Sequence, residues 1–165
     1  MATEPSSKIV LQARLEQLRD LEHWVKSLAA EFHLPPSLVH RIDLCLTELV
    51  TNLISYGYPN GEVGTLSIRF WRHPEQIVIR IDDDGAAFDP TSYVAPGLPS
   101  TLADASPGGR GIRLVRHFTD ELQHITGAGG NQLTLTFRGP GPATHAATET
   151  AGPASETPAP TRQPP

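Results

Sequence analysis

The run Asp43-Leu-Cys-Leu-Thr-Glu48-Leu-Val-Thr-Asn52-Leu-Ile54 decides how this chain is read. Through it and just before it, apolar residues recur at three- and four-residue steps: Leu38, Ile42, Cys45, Leu46, Leu49 and Leu53. That period predicts an amphipathic helix with one buried stripe. Glu48 and Asn52 lie four residues apart between stripe positions, so they stack on one helix face at the edge of the buried side. A carboxylate there is costly unless it has a partner or a catalytic role. The amide oxygen of Asn52 suits Mg²⁺, which takes oxygen ligands and commonly combines one or two protein oxygens with substrate phosphates. Glu48, one turn away, is then placed to take a proton from a hydroxyl or a water. Taken alone, the pair is also what a solvated helix edge carries.

Upstream, residues 8–13 read as a short first strand. Leu15, Leu18, Leu21, Trp24, Val25 and Leu28 form the stripe of a helix reaching about Phe32. Pro35-Pro36 ends that helix, and Ser37 is the expected cap of the next one. Gly57, Pro59, Asn60 and Gly61 close it in a turn. Downstream, residues 65–71 alternate polar and apolar, residues 76–81 do so less strictly, and His73-Pro74-Glu75 joins them as a hairpin. Residues 93–109 have no periodicity; a loop that long inside a compact domain is uncommon unless it works as a lid or binding loop. A helix from about Gly111 to Phe118 and strands over 121–126 and 132–138, joined by a turn at 127–130, complete the pattern. The order is α+β. It predicts a two-layer sandwich, with helices on one face of a mixed, mostly antiparallel sheet.

Composition narrows the function classes. The 165 residues suit one domain. After Arg138 there is no Leu, Ile, Val or aromatic residue, and seven of the sixteen prolines lie there. Such a segment cannot bury enough apolar surface to offset chain entropy, so 1–138 is expected to be the domain and 139–165 a disordered tail. A net charge of −5 gives no electrostatic case for a nucleic-acid partner. One cysteine excludes an intramolecular disulfide and fits a reducing compartment. There is no signal-peptide pattern and no apolar stretch of roughly 20 residues, the length that spans a bilayer. A cytoplasmic protein without membrane attachment is the expectation. The seven histidines are scattered without metal-ligand spacing, which argues against structural zinc.

Two further motifs carry glycine. In Ile77-Val-Ile-Arg-Ile-Asp-Asp-Asp-Gly85-Ala-Ala-Phe-Asp-Pro90 an acidic run ends a strand, and Gly85 lets backbone approach a flat ligand. Asp83 is placed to accept a hydrogen bond from an exocyclic amine such as that of adenine; a solvated acidic turn would look the same. In Ser106-Pro-Gly-Gly-Arg-Gly-Ile-Arg-Leu-Val115, glycines before an apolar helix can present N–H groups and the positive helix end to an anion, or simply form a flexible loop. The stretch is not a dinucleotide fingerprint, because Leu114 stands where a third glycine belongs. It is not a P-loop either: the two lysines, Lys8 and Lys26, follow no glycine-rich stretch.

In this order and spacing the three motifs resemble the GHKL ATPase superfamily across roughly residues 8–138. Glu48-x-x-x-Asn52 is similar to its N box, Asp83-x-Gly85 to its first glycine box and Gly109-x-Gly111 to its second. Thr47-Glu-Leu-Val-Thr-Asn-Leu-Ile54, Phe88-Asp-Pro90 and Gly108-Gly-Arg-Gly-Ile-Arg-Leu-Val115 most resemble the small anti-sigma-factor serine/threonine kinases of the RsbW and SpoIIAB type. The resemblance implies a Bergerat fold that binds ATP and Mg²⁺ under a mobile lid. It implies Glu48 as general base, Asn52 as the Mg²⁺ ligand and Asp83 as the adenine anchor. Gly85, Ala87, Gly109, Arg110 and Gly111 would line the nucleotide. The implied partners are an anti-anti-sigma protein of the STAS fold, phosphorylated on serine or threonine, and a sigma factor held inactive, with the kinase itself a homodimer. Ala87 stands where the first glycine box usually has a second glycine, and Ser55-Tyr56-Gly57 replaces the usual basic and small residues after the N box. Both departures bear on affinity more than on the fold. An alternative is an ATP-dependent partner-switch module without kinase activity. A histidine kinase fragment is disfavoured, because the chain has no helix hairpin bearing a phosphoacceptor histidine.

Overall fold

The computed structural model describes residues 4–58, 62–86, 89, 107–127 and 129–139, with 107–110 described by their backbone. In chain order, β1 (Ser7–Gln12) is followed by a 3₁₀ turn (Leu15–Gln17), α1 (Leu18–Glu31), α2 (Pro36–Gly57), β2 (Thr65–Arg72) and β3 (Gln76–Asp83). Then come α3 (Pro107–Phe118), β4 (Glu121–Gly127) and β5 (Gly130–Arg138). The expected tail beyond Gly139 and most of the expected lid lie outside the described residues.

Strand order is β1-β2-β3-β5-β4, and every described pairing is antiparallel. The sheet is therefore not mixed, and the topology says why. β3 and β4 do run parallel, joined through α3, but β5 is inserted between them and pairs antiparallel with both. Alternate residues on each central strand are buried: Leu66, Ile68 and Phe70 on β2, Ile77, Ile79 and Ile81 on β3, Leu133, Leu135 and Phe137 on β5. They pack against Leu21, Val25 and Leu28 of α1 and Ile42, Leu46, Leu49 and Leu53 of α2 in one core. That single covered face is the two-layer arrangement expected from the element order.

α2 begins one residue before the expected cap. Pro36 is its first residue and Pro35 its N-cap, with no side-chain cap bond, so Ser37 lies inside the helix. Proline suits a first helical position because its missing N–H would have had no partner there. Pro35 is extended (φ −59°, ψ 141°), as the residue before a proline must be. α3 likewise starts on a proline, Pro107, four residues earlier than expected, so Gly109 and Arg110 lie in its first turn and Gly111 opens its second, rather than forming a loop before it.

Two core residues deserve a role of their own. Cys45 is fully buried, and burial pushes its thiol up to about 12, so it is an apolar filler rather than a nucleophile. Arg41 of α2, only 4% exposed, donates through Nε to the Phe118 carbonyl (2.9 Å) and through Nη2 to Asp120 (3.0 Å). It ties the C-terminal end of α3, where a cation is favoured by the helix dipole, onto α2. Among the described residues, no helix is long and apolar enough to cross a membrane.

Candidate functional site

The site forms where the second half of α2, the end of β3, the first turn of α3 and the start of β5 meet. Asn52 is buried (6% exposed) and Glu48, one turn earlier, is half-buried. Asn52 thus lies deeper than the helix edge its spacing suggested. Its Nδ2 is buried without a hydrogen-bond partner among the described residues. A half-turn of the amide would present its oxygen at the same place.

Gly111 lies directly against this pair. A β-carbon on it would overlap Glu48 Oε2 and come within 3.3 Å of Asn52 Nδ2. Glycine at 111 lets the start of α3 approach the acid and the amide in their present rotamers; a larger residue would have to push the Glu48 carboxylate aside. α3 is thus seated on α2 at both ends, by Gly111 here and by Arg41 at the other.

Asp83 ends β3 on the strand's buried phase, following Ile77, Ile79 and Ile81, and is 4% exposed. Its Oδ1 accepts from the Gly85 N–H (3.0 Å) and from Asn131 Nδ2 (3.0 Å). Its Oδ2 is buried and has no hydrogen-bond partner among the described residues. Burial raises the carboxyl above the ordinary aspartate range, with the bonds from Asn131 and Gly85 opposing that rise. A buried acceptor with no donor is costly in isolation, and a ligand N–H would remove that cost.

The Gly85 turn is held close to α2. The Gly57 carbonyl at the end of α2 accepts from the Ala86 N–H (2.8 Å). A β-carbon at Gly85 would meet that same carbonyl oxygen at 2.9 Å and the Tyr58 ring at 3.0 Å. Tyr58 donates to Asp84 Oδ1 (2.7 Å), which also accepts from the Thr65 N–H (3.0 Å); the Thr65 bond, then the Tyr58 bond, lowers the Asp84 carboxyl. A cleft of about 230 Å³ beside this turn has Gly57, Tyr58, Gly64, Asp84, Gly85 and Ala86 among its walls.

The structure therefore brings together Glu48, Asn52 and Gly111, and separately builds the Asp83–Gly85 turn with an open acceptor. Gly109 and Arg110 have their backbone in the first turn of α3, and Ala87 lies outside the described residues. Asn131 was missed. Its signal was available, since it shares the buried phase of β5 with Leu133, Leu135 and Phe137 and pairs in register with Asp83. Among the described residues, no group of three or more His, Cys, Asp or Glu could hold a metal ion by itself. The donor set fits a cation completed by phosphate oxygens, with one amide oxygen from the protein.

Comparison with known proteins bears on what this geometry is for. The family described as the histidine kinase-like ATPase domain matches residues 11–137, which span every element of the site. The chain belongs to this family. Among ATPase-domain relatives, serine/threonine-protein kinase BtrW of Bordetella bronchiseptica is 33% identical over 117 residues, covering 71% of this chain and 82% of that protein. An anti-sigma F factor of Thermoanaerobacter is 26% identical, covering 62% of this chain and 73% of its own length. Serine-protein kinase RsbW of Bacillus subtilis is 27% identical over 89 residues, covering 52% of this chain and 56% of that protein. A crystal structure of the RsbU and RsbW domains of Rv1364c from Mycobacterium tuberculosis superposes with a TM-score of 0.59 at 20% identity, covering 82% of this chain and 32% of that one. At that identity the superposition speaks for a shared histidine kinase-like ATPase fold.

Proposed function

We propose that this chain is an ATP-dependent protein serine/threonine kinase that acts as an anti-sigma factor. In this reading it phosphorylates a STAS-type anti-anti-sigma protein and, in its alternate complex, sequesters a sigma factor. It works as a cytoplasmic homodimer. The observation that carries the reading is the approach of Gly111 to Glu48 and Asn52, with an open acceptor on Asp83. An acid, an amide side chain and the opening turns of a helix meet there, and relatives named as kinases and anti-sigma factors match this chain.

Each residue has a defined task. Asp83 accepts the adenine amine through Oδ2, and Gly85 lets the base approach. Asn52 would contribute an oxygen to Mg²⁺, the first turn of α3, at Gly109 and Arg110, would offer N–H groups to the phosphates, and Gly111 would let that helix start close on them. Glu48 takes the proton from the attacking serine or threonine hydroxyl. Bound Mg²⁺ offsets the charge spread over the transferred phosphoryl group. The added phosphate, about −1.5 to −2 charges at neutral pH, then weakens the partner's complex by repulsion and desolvation.

The test is transfer of γ-labelled phosphate from ATP to the cognate STAS partner. Label on the partner supports the kinase; nucleotide binding with no transfer would leave a partner-switch module instead. Asn52→Ala is expected to weaken Mg-ATP binding about tenfold or more, since a charge-assisted contact is lost. Because Nδ2 makes no bond in the fold, the unliganded variant should melt within a few degrees of wild type. Unchanged Mg-ATP affinity by calorimetry would remove the metal assignment.

Acid should also weaken ATP binding earlier than an ordinary aspartate would. Nucleotide uptake needs Asp83 as an acceptor, so affinity is lost as pH falls through the carboxyl's value in the free protein. Burial has raised that value, which moves the loss to higher pH. ATP titrations across the acid range, with Asp83→Asn as the flat reference, measure it.

A further inference from the structure

The ends of β4 and β5 carry a line of polar side chains that no role above uses. Asn131 Nδ2 donates to Asp83 Oδ1 (3.0 Å) and to the carbonyls of Ala86 (3.0 Å) and Gly85 (3.3 Å). Asn131 Oδ1 accepts from the Thr126 hydroxyl at 3.4 Å, and that hydroxyl lies 3.3 Å from His124 Nε2. His124 Nδ1 in turn lies 3.1 Å from Asp89 Oδ1. The His124 side chain is only 6% exposed, so this contact is not one that water dilutes to nothing.

The path of the chain explains the line. The chain leaves β3 at Asp83 and turns at Gly85 and Ala86, and Asp89 lies against His124 of β4. In the order β3-β5-β4 that crossing spans two strand spacings, about 10 Å. Asn131 on the middle strand holds Asp83 and the turn at Gly85 and Ala86, and His124 holds Asp89. The links through Thr126 are the longest, so the two ends, at 3.0 and 3.1 Å, do most of the holding.

We propose that His124 is a positioning residue for purine recognition. By fixing Asp89, three positions beyond Ala86, it holds the turn at Gly85 and Ala86 in the place that keeps Asp83 Oδ2 open to a purine amine. The proposal rests on the reading of Asp83 as the purine anchor. His124 touches no nucleotide in it; it acts through the chain it pins.

Calorimetric titration of ATP and of GTP into the full chain tests it, using two variants at this position with Asp83→Asn as reference. His124→Phe keeps a ring of similar bulk and has no donor. His124→Asn keeps an N–H near the place of Nδ1. His124→Phe is expected to weaken ATP about tenfold and narrow the ATP-over-GTP preference, while His124→Asn stays within about threefold of wild type. Thermal melting of the unliganded variants separates the roles. A merely structural histidine would lower the melting temperature and leave the ATP:GTP ratio alone. If His124→Phe does not fold, Asp89→Asn, read by the same ratio, decides in its place. An unaltered ratio in His124→Phe alongside a changed one in Asp83→Asn overturns the proposal and leaves the purine anchor standing. An unaltered ratio in Asp83→Asn overturns both.

Discussion

Glu48→Gln is expected to lower kcat for phosphoryl transfer by about 10²–10⁴-fold, the range a positioned general base contributes. Glutamine matches glutamate in size, so the close seat of Gly111 on the Glu48 carboxylate is kept and α3 does not move. What goes is the capacity to accept a proton from the attacking hydroxyl. ATP affinity should hold or tighten slightly, because a negative charge next to the triphosphate has been removed. Rapid-quench transfer to the STAS partner, with ATP binding measured separately, gives both numbers. A kcat near wild type would show that the hydroxyl loses its proton elsewhere, and Glu48 would then be a spacing residue.

The second large effect is on the fold itself. Gly130→Ala is expected to destabilise the protein by about 3 kcal/mol or more, from backbone strain and overpacking together. Gly130 has φ +107°, where a side chain is strained whatever the space. Its added β-carbon would also overlap the Asp83 carbonyl oxygen and lie 3.1 Å from Asp84 Cα. Those obstacles are backbone, so neither can swing aside as a side-chain tip would. The displacement falls on Asp83, so surviving folded protein should also bind ATP more weakly. Gly129→Ala, one residue away, meets nothing within 4 Å and is the control. It should be neutral or stabilise by up to about 1 kcal/mol through lost unfolded-state freedom. Equal melting temperatures for the two variants, by differential scanning calorimetry, would contradict the argument.

Where sequence reasoning missed, the reasons are physical. The start of α2 was placed at Ser37 because serine is a good N-cap, yet two prolines outcompete it: one is pre-set for the first helical turn and the other is forced extended before it. The glycines at 108, 109 and 111 read as an approach to α3 rather than part of it, yet the helix begins at Pro107, a residue suited to a first helical position. The element order leaves the sheet mixed or antiparallel; the insertion of β5 between β3 and β4 makes every described pairing antiparallel. Asn131 was legible in principle, as a polar residue on a buried strand phase. The His124–Asp89 contact was not, because the two residues are 35 positions apart and no periodicity links them.

Short-range physics settled much from the sequence alone. The helix bearing Glu48 and Asn52, the hairpins, the strand alternation and the stacking of acid over amide all follow from relations between residues a few positions apart. The likeness of three spaced motifs to GHKL kinases supplied the expected fold. Only the tertiary structure decided that Gly111 rests on Glu48, that Asp83 keeps one oxygen without a partner among the described residues, that Asn131 bonds Asp83 and that His124 meets Asp89. Those relations depend on strand order and register, which are set by packing across the whole core rather than by any local preference.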